Sequence, residues 1–234
     1  MTRTHRIETS DGAFDGHVAL PPGGSGPGLL LLHEIFGVND YVRDGAQRLA
    51  GLGYVVLAPD LFWRTQPGLE LRHDEAGVQA GMAAMAQLDV AAAVADAIAA
   101  LEALRALPEV TGSAAGVLGL CLGGTLAYQV AADADPDVAV IYYGSGIPGA
   151  LDRASAITCP TIMHWGGADP YIPRAEVDAV AAMAAARDNI ECHVHEGAGH
   201  AFDNPAPMFL DAGARAAAWE LTAAFLAREL PAAA

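Results

Sequence analysis

Cys121 stands at the centre of Gly119-Leu120-Cys121-Leu122-Gly123, which has the form of a nucleophile elbow with sulfur in place of oxygen. A sharp strand-to-helix turn pushes the central side chain into a strained, exposed position, and small flanking residues let the backbone pass itself. The first amide of the following helix points into the same space and suits a developing oxyanion. A thiol so placed needs a base and an orienting acid, in the chain order nucleophile, acid, histidine. Asp169, in Gly166-Gly167-Ala168-Asp169-Pro170, and His200, in Gly197-Ala198-Gly199-His200, supply that order. The bland alternative for Cys121 is a buried core thiol, and for Asp169 a turn residue. The three occurring together, each past an apolar run, favours chemistry.

The elements that must position these residues are legible as strands and helices. Ala115–Leu120 reads as a buried strand and Gly123–Ala132 as a helix. Pro160–Trp165 and Cys192–Glu196 read as strands that end just before Asp169 and His200. Further strands are expected at Arg6–Thr9, Gly16–Leu20, Gly28–His33, Tyr54–Ala58 and Val138–Tyr143, the first two joined as a hairpin through Ser10-Asp11-Gly12. Helices are expected at Asp40–Leu52, Pro173–Ala186 and Met208–Leu230, with one or two within Ala76–Leu107. Leu61–Glu75 reads as an irregular rim or lid, and the end from Leu230 to Ala234 as frayed. Alternating strands and helices predict an α/β fold, a mainly parallel doubly wound sheet flanked by helices on both faces, as one domain over 1–234. In such a sheet the carboxyl ends of the strands share one edge, so all three residues converge there.

The formal charge of −16 argues against nucleic acid or an anionic membrane as partner, and 53% apolar residues suffice for a covered core. Cys121, Cys159 and Cys192 form no CxxC pair and are expected as free thiols. Met1–Arg6 lacks an apolar signal core and no run spans a membrane, which sets a cytoplasmic expectation. His193, His195 and His200 with Cys192 and Glu196 match no zinc spacing, so no metal is expected. His33 and His164 are expected as hydrogen-bonded core histidines.

His33-Glu34-Ile35-Phe36-Gly37, Tyr54–Leu61, Gly119–Gly124, Tyr142-Tyr143-Gly144, Gly166–Asp169 and Gly199-His200-Ala201-Phe202 together resemble the dienelactone hydrolase (carboxymethylenebutenolidase-like) family of the α/β-hydrolase fold. The resemblance spans nearly the whole chain in order. It implies that Cys121, Asp169 and His200 form a triad and that Glu34 handles the thiol proton. It further implies that the backbone amides of Ile35 and Leu122 bind the oxyanion. Phe36, Arg64, Tyr143 and Phe202 are expected to contact substrate. Founding members are expected to grip a substrate carboxylate with two arginines. The corresponding stretches here, Gly77–Met85 and Asp203-Asn204, hold none, and Arg64 and Arg72 are the nearest basic residues.

The chemistry that follows is hydrolysis of an activated ester or enol lactone through a thioacyl-enzyme, with no cofactor and a small-molecule substrate, by a monomer or weak homodimer. Thiolate leaves readily, so the substrate needs a leaving group at least as good. Glu34, as a nearby negative charge, is expected to keep the resting thiol neutral. The alternative is a ligand sensor on a hydrolase fold.

Overall fold

In the computed structural model, residues 1–232 are described. The chain runs β1 (Thr2–Thr9), β2 (Gly12–Ala19), β3 (Gly26–Leu32), α1 (Asp40–Ala50), β4 (Val55–Pro59), α2 (Glu75–Met85), α3 (Val90–Arg105), β5 (Val110–Leu120), α4 (Leu122–Asp133), β6 (Ala139–Tyr142), β7 (Thr161–Gly166), α5 (Arg174–Ala185), β8 (Ile190–His195) and α6 (Ala212–Glu229). One eight-stranded sheet has the order β1-β2-β4-β3-β5-β6-β7-β8. From β4 to β8 every pair is parallel, whereas β1–β2 and β2–β4 are antiparallel. The expected α/β class and mainly parallel sheet are therefore seen.

The central strands are apolar throughout because both faces are covered. All seven residues of β3 are buried. A Cβ on Gly28 would meet Leu104 of α3, while Leu31 reaches Gly45 of α1. Residues three apart in a strand point to opposite faces, so α3 and α1 lie on opposite sides. On the α1 side, Arg48 sits 3.4 Å over the ring of Trp219 on α6. Helix starts are set by side-chain caps: Asn39, Asp74, Asp89 and Asp211 accept from the amides of Val42, Gly77, Ala92 and Ala214.

Several boundaries move. The opening strands are longer than expected because β1 pairs along all of β2. The Ala76–Leu107 region forms two helices bent by 96°, since Asp89 caps a new start. The last helix begins at Ala212 rather than Met208, again at its aspartate cap. A 3₁₀ segment at Pro148–Ala156 had no sequence expectation. Leu230 is not frayed: it is buried, and the Tyr54 hydroxyl donates to its carbonyl. Ala233 and Ala234 lie outside the described residues. Among those described, no single helix is long and apolar enough to cross a membrane.

Candidate active site

The elbow is built by glycines. Cys121 has φ 53° and ψ −112°, a left-handed-side conformation that costs an L-residue energy. It occupies the N-cap of α4 but makes no side-chain cap, which leaves its sulfur free. A Cβ at Gly119 would strike the Gly123 carbonyl, and one at Gly123 the Leu32 carbonyl at the end of β3. Gly123 N–H instead donates to the His33 carbonyl at 3.1 Å, and Cys121 N–H to Tyr142 at 3.1 Å. These bonds lock the start of α4 to the ends of β3 and β6.

Asp169 and His200 arrive from the ends of β7 and β8. Cys121 Sγ lies 3.1 Å from His200 Nε2, and His200 Nδ1 lies 2.7 Å from Asp169 Oδ2. Asp169 Oδ1 accepts from the amides of Tyr171 and Ile172, so its carboxylate is fixed on both sides. An ionised carboxylate facing Nδ1 demands a proton there and turns Nε2 toward the sulfur. Burial alone would lower the basicity of His200, but its hydrogen bonds to Asp169 and Cys121, and the charges of both, raise it overall. Gly166 lets the His200 loop approach β7, because a Cβ there would meet the carbonyls of Ala198 and Gly199.

Leu122 follows Cys121 as the first residue of α4, and Ile35 lines the same cavity as the sulfur; neither amide donates to another group among the described residues. The Ile35 loop is held from three directions. Gly81 of α2 packs against the Ile35 carbonyl. Leu71 N–H donates to the Phe36 carbonyl at 2.9 Å. His33 Nε2 accepts from Leu61 N–H at 3.1 Å, so the ring proton sits on Nδ1 and is donated to the Glu34 carbonyl. His33 is thus a buried, neutral bolt, and burial lowers its pKa. His164 is likewise buried, bonded to Thr222 and His195.

Glu34 is 2% exposed. Asn204 Nδ2 donates to its Oε2 at 2.8 Å and the Tyr143 hydroxyl to its Oε1 at 3.3 Å. Burial pushes its pKa up to about 7, against the opposing pull of the Asn204 hydrogen bond and the His200 charge. At rest the sulfur bonds His200, and Glu34 is held by Asn204 and Tyr143. Asn204 itself is oriented by Ala206 N–H, which donates to its Oδ1, and the amide also reaches His73 Nε2 at 3.1 Å. Asn39, whose Oδ1 caps α1, points its amide at the same His73 nitrogen. Two N–H donors facing one nitrogen require neutral His73, and burial lowers its pKa. Sequence reasoning missed Asn204 and His73 as site residues. The signal for Asn204 was a buried carboxylate that needed a donor, with an amide four residues past His200.

A cavity of about 100 Å³ opens onto the sulfur. Glu34, Cys121, His200, Ser145 and Tyr171 bring polar atoms to it, and Val78, Met82 and Met85 of α2 form an apolar wall. These positions share one face of a helix. Phe36 lines the cavity. Three expected contacts are corrected. Arg64 is drawn away by Asp96 and Asp11, at 2.7 and 3.0 Å, and does not line the cavity. Tyr143 is fully buried behind the site with its hydroxyl on Glu34, and Phe202 is fully buried against Tyr142 and Tyr143. Tyr143 is held inward by its hydroxyl bond to Glu34, and Phe202 by its packing against both tyrosine rings. Arg72 is 92% exposed beside Asp74. Among the described residues no group of three His, Cys, Asp or Glu could hold a metal ion, and the three cysteines are free.

Residues 14–230 match the model of the dienelactone hydrolase family. A carboxymethylenebutenolidase from Pseudomonas putida is 34% identical over 229 residues, covering 97% of each chain. Among solved structures, a dienelactone hydrolase-like promiscuous phosphotriesterase from metagenomic libraries superposes with a TM-score of 0.81 at 24% identity, over 98% of both chains. A dienelactone hydrolase from Anabaena variabilis gives 0.75 at 17% identity, also over 98% of both. At those identities the structures speak to the fold.

Proposed function

The chain belongs to the dienelactone hydrolase family, and from that premise we propose that it cleaves activated esters or enol lactones through a thioacyl-enzyme on Cys121. Family membership makes it a hydrolase of esters or lactones. The observation that supports the covalent route is the array Cys121 Sγ–His200 Nε2–Asp169 Oδ2 at 3.1 and 2.7 Å.

His200 takes the thiol proton, and Asp169 holds its tautomer and stabilises the imidazolium. The thiolate attacks the carbonyl carbon, whose oxygen becomes anionic and is received by Ile35 and Leu122 N–H, the latter at the positive end of α4. The carbon–oxygen bond to the leaving group breaks, and His200 returns a proton where the leaving group needs one. Water, deprotonated by His200, then attacks the thioester and releases the acid. Because the thiolate is itself a good leaving group, the intermediate reverts unless the leaving oxygen belongs to an enol, a phenol or a similarly stable anion. Plain alkyl esters and amides are therefore poor substrates. Glu34, whose pKa burial pushes up to about 7, lines the same cavity as Cys121 and, when ionised, places negative charge there.

The test is kcat/KM on a para-nitrophenyl ester for wild type, Cys121→Ala and Asp169→Asn. Loss of activity above background in Cys121→Ala, and a drop of about 100-fold or more in Asp169→Asn, support the reading. Wild-type activity retained in Cys121→Ala rejects it.

A further inference from the structure

The walls of the cavity carry a charge pattern that restricts what can enter. All twelve basic residues of the chain are arginine. None is among the described residues that line the cavity. Arg72, ahead of α2, is turned out to solvent at 92% exposure beside Asp74, and other arginines are committed elsewhere. Arg43 pairs with Glu70 and Asp40, and Arg64 with Asp96 and Asp11. Arg215 faces Asp203, and Arg48 lies over Trp219, both in a different cavity on the α1–α6 side. The one group in the site cavity able to carry a lasting charge of its own, apart from the Cys121–His200 pair, is the Glu34 carboxyl.

Apart from the hydroxyls of Ser145 and Tyr171 the rest of the wall is apolar, and this continues outward. Met82 is 46% and Tyr171 61% exposed although both line the cavity. Met208 and Leu210, also exposed, flank Phe209, which lines it too. Exposed large apolar side chains gathered at one mouth mark a surface that takes up apolar material. The interior, about 100 Å³, is smaller than the roughly 150 Å³ cavity that encloses a benzene ring.

We propose that the substrate group entering this cavity is short, apolar and uncharged, with a larger apolar leaving group against Met82 and Tyr171, and that carboxylate-bearing acyl groups are rejected. This rests on the reading of Cys121 as nucleophile. An anion on the acyl chain would give up water for a wall of methionine and phenylalanine and would meet Glu34 with no arginine to offset either cost.

Two isosteric pairs test it at about pH 8, where Glu34 is mostly ionised. The first is para-nitrophenyl butanoate against the para-nitrophenyl monoester of succinic acid, in which a carboxylate replaces the terminal methyl. The second is the anilides of the same two acids, which are not cleaved and report binding by calorimetry. Expected are a kcat/KM and an affinity at least ~10-fold higher for the neutral member of each pair. Met82→Arg should narrow the ester ratio by bringing a guanidinium to the mouth. Equal or better use of the anionic ester, tighter binding of the anionic anilide, or no binding of either anilide overturns the proposal. If neither ester is cleaved above Cys121→Ala, the hydrolytic reading fails, and the anilide pair still decides the character of the cavity.

Discussion

Glu34 is a buried carboxyl, 2% exposed, and three outcomes follow from its environment. The folded protein holds its proton more tightly than the unfolded chain, because the pKa rises from 4.5 to about 7 on burial. Stability is therefore greatest below the unfolded value and declines as pH rises through the folded one, by at most about 3 kcal/mol. Glu34→Gln should remove that slope, so that urea midpoints at about pH 5 and pH 8 differ less in the variant than in wild type. An unchanged difference would show that the carboxyl is ionised throughout. Removing the charge should also free the thiol. Cys121 in Glu34→Gln should react with iodoacetamide faster than in wild type, and a rate no faster would remove Glu34 from control of the thiol. Asn204→Ala takes away the stronger of its donors and should move the Glu34 titration, followed by the pH dependence of kcat/KM, above 7.

At the scale of elements, the site depends on how closely α4 presses on β3. Gly123→Ala would force a Cβ against the Leu32 and His33 carbonyls, which cannot move without breaking the Ile35 loop. It should cost about 3 kcal/mol or more, with activity lost before stability. Gly199→Ala, where nothing lies within 4 Å of the added carbon, is the matched control and should cost under about 1 kcal/mol. Comparable thermal shifts for the two would contradict this packing argument. The strand–elbow–helix unit was legible in the sequence because its pattern is local: an apolar run, three glycines and a cysteine. Asp169 and His200 were legible because each follows its strand by a few residues. The start of α6 was misread because Met208, Phe209 and Leu210 are apolar like helix residues, yet Phe209 lines the cavity and Asp211 caps the helix only after them.

Over the whole molecule, parallel order brings β3, β5, β7 and β8 to one edge, and the class of fold could be read from strand alternation alone. What could not be read is which long-range partner each polar group takes. Arg64 is 32 residues from Asp96, and Tyr143 is 109 from Glu34, separations at which sequence carries no pairing signal. Resemblance implied that Tyr143 and Phe202 contact substrate, whereas both are buried and neither lines the cavity. The charge of −16 adds a long-range effect. An acidic surface repels an anionic ester before it reaches the cavity, so kcat/KM for the succinate monoester should rise with added salt while that for the butanoate stays flat. A flat response for both would confine the discrimination to the cavity walls.

The central claim is that Cys121 carries the acyl group during turnover. Rapid acid quenching of wild type with para-nitrophenyl butanoate, followed by peptide mass analysis, tests it most directly. The account expects the mass of one butanoyl group on the peptide containing Cys121, appearing during turnover, absent in Cys121→Ala and removed by hydroxylamine. Steady turnover with Cys121 unmodified at every time, or with the acyl group on another residue, would contradict it.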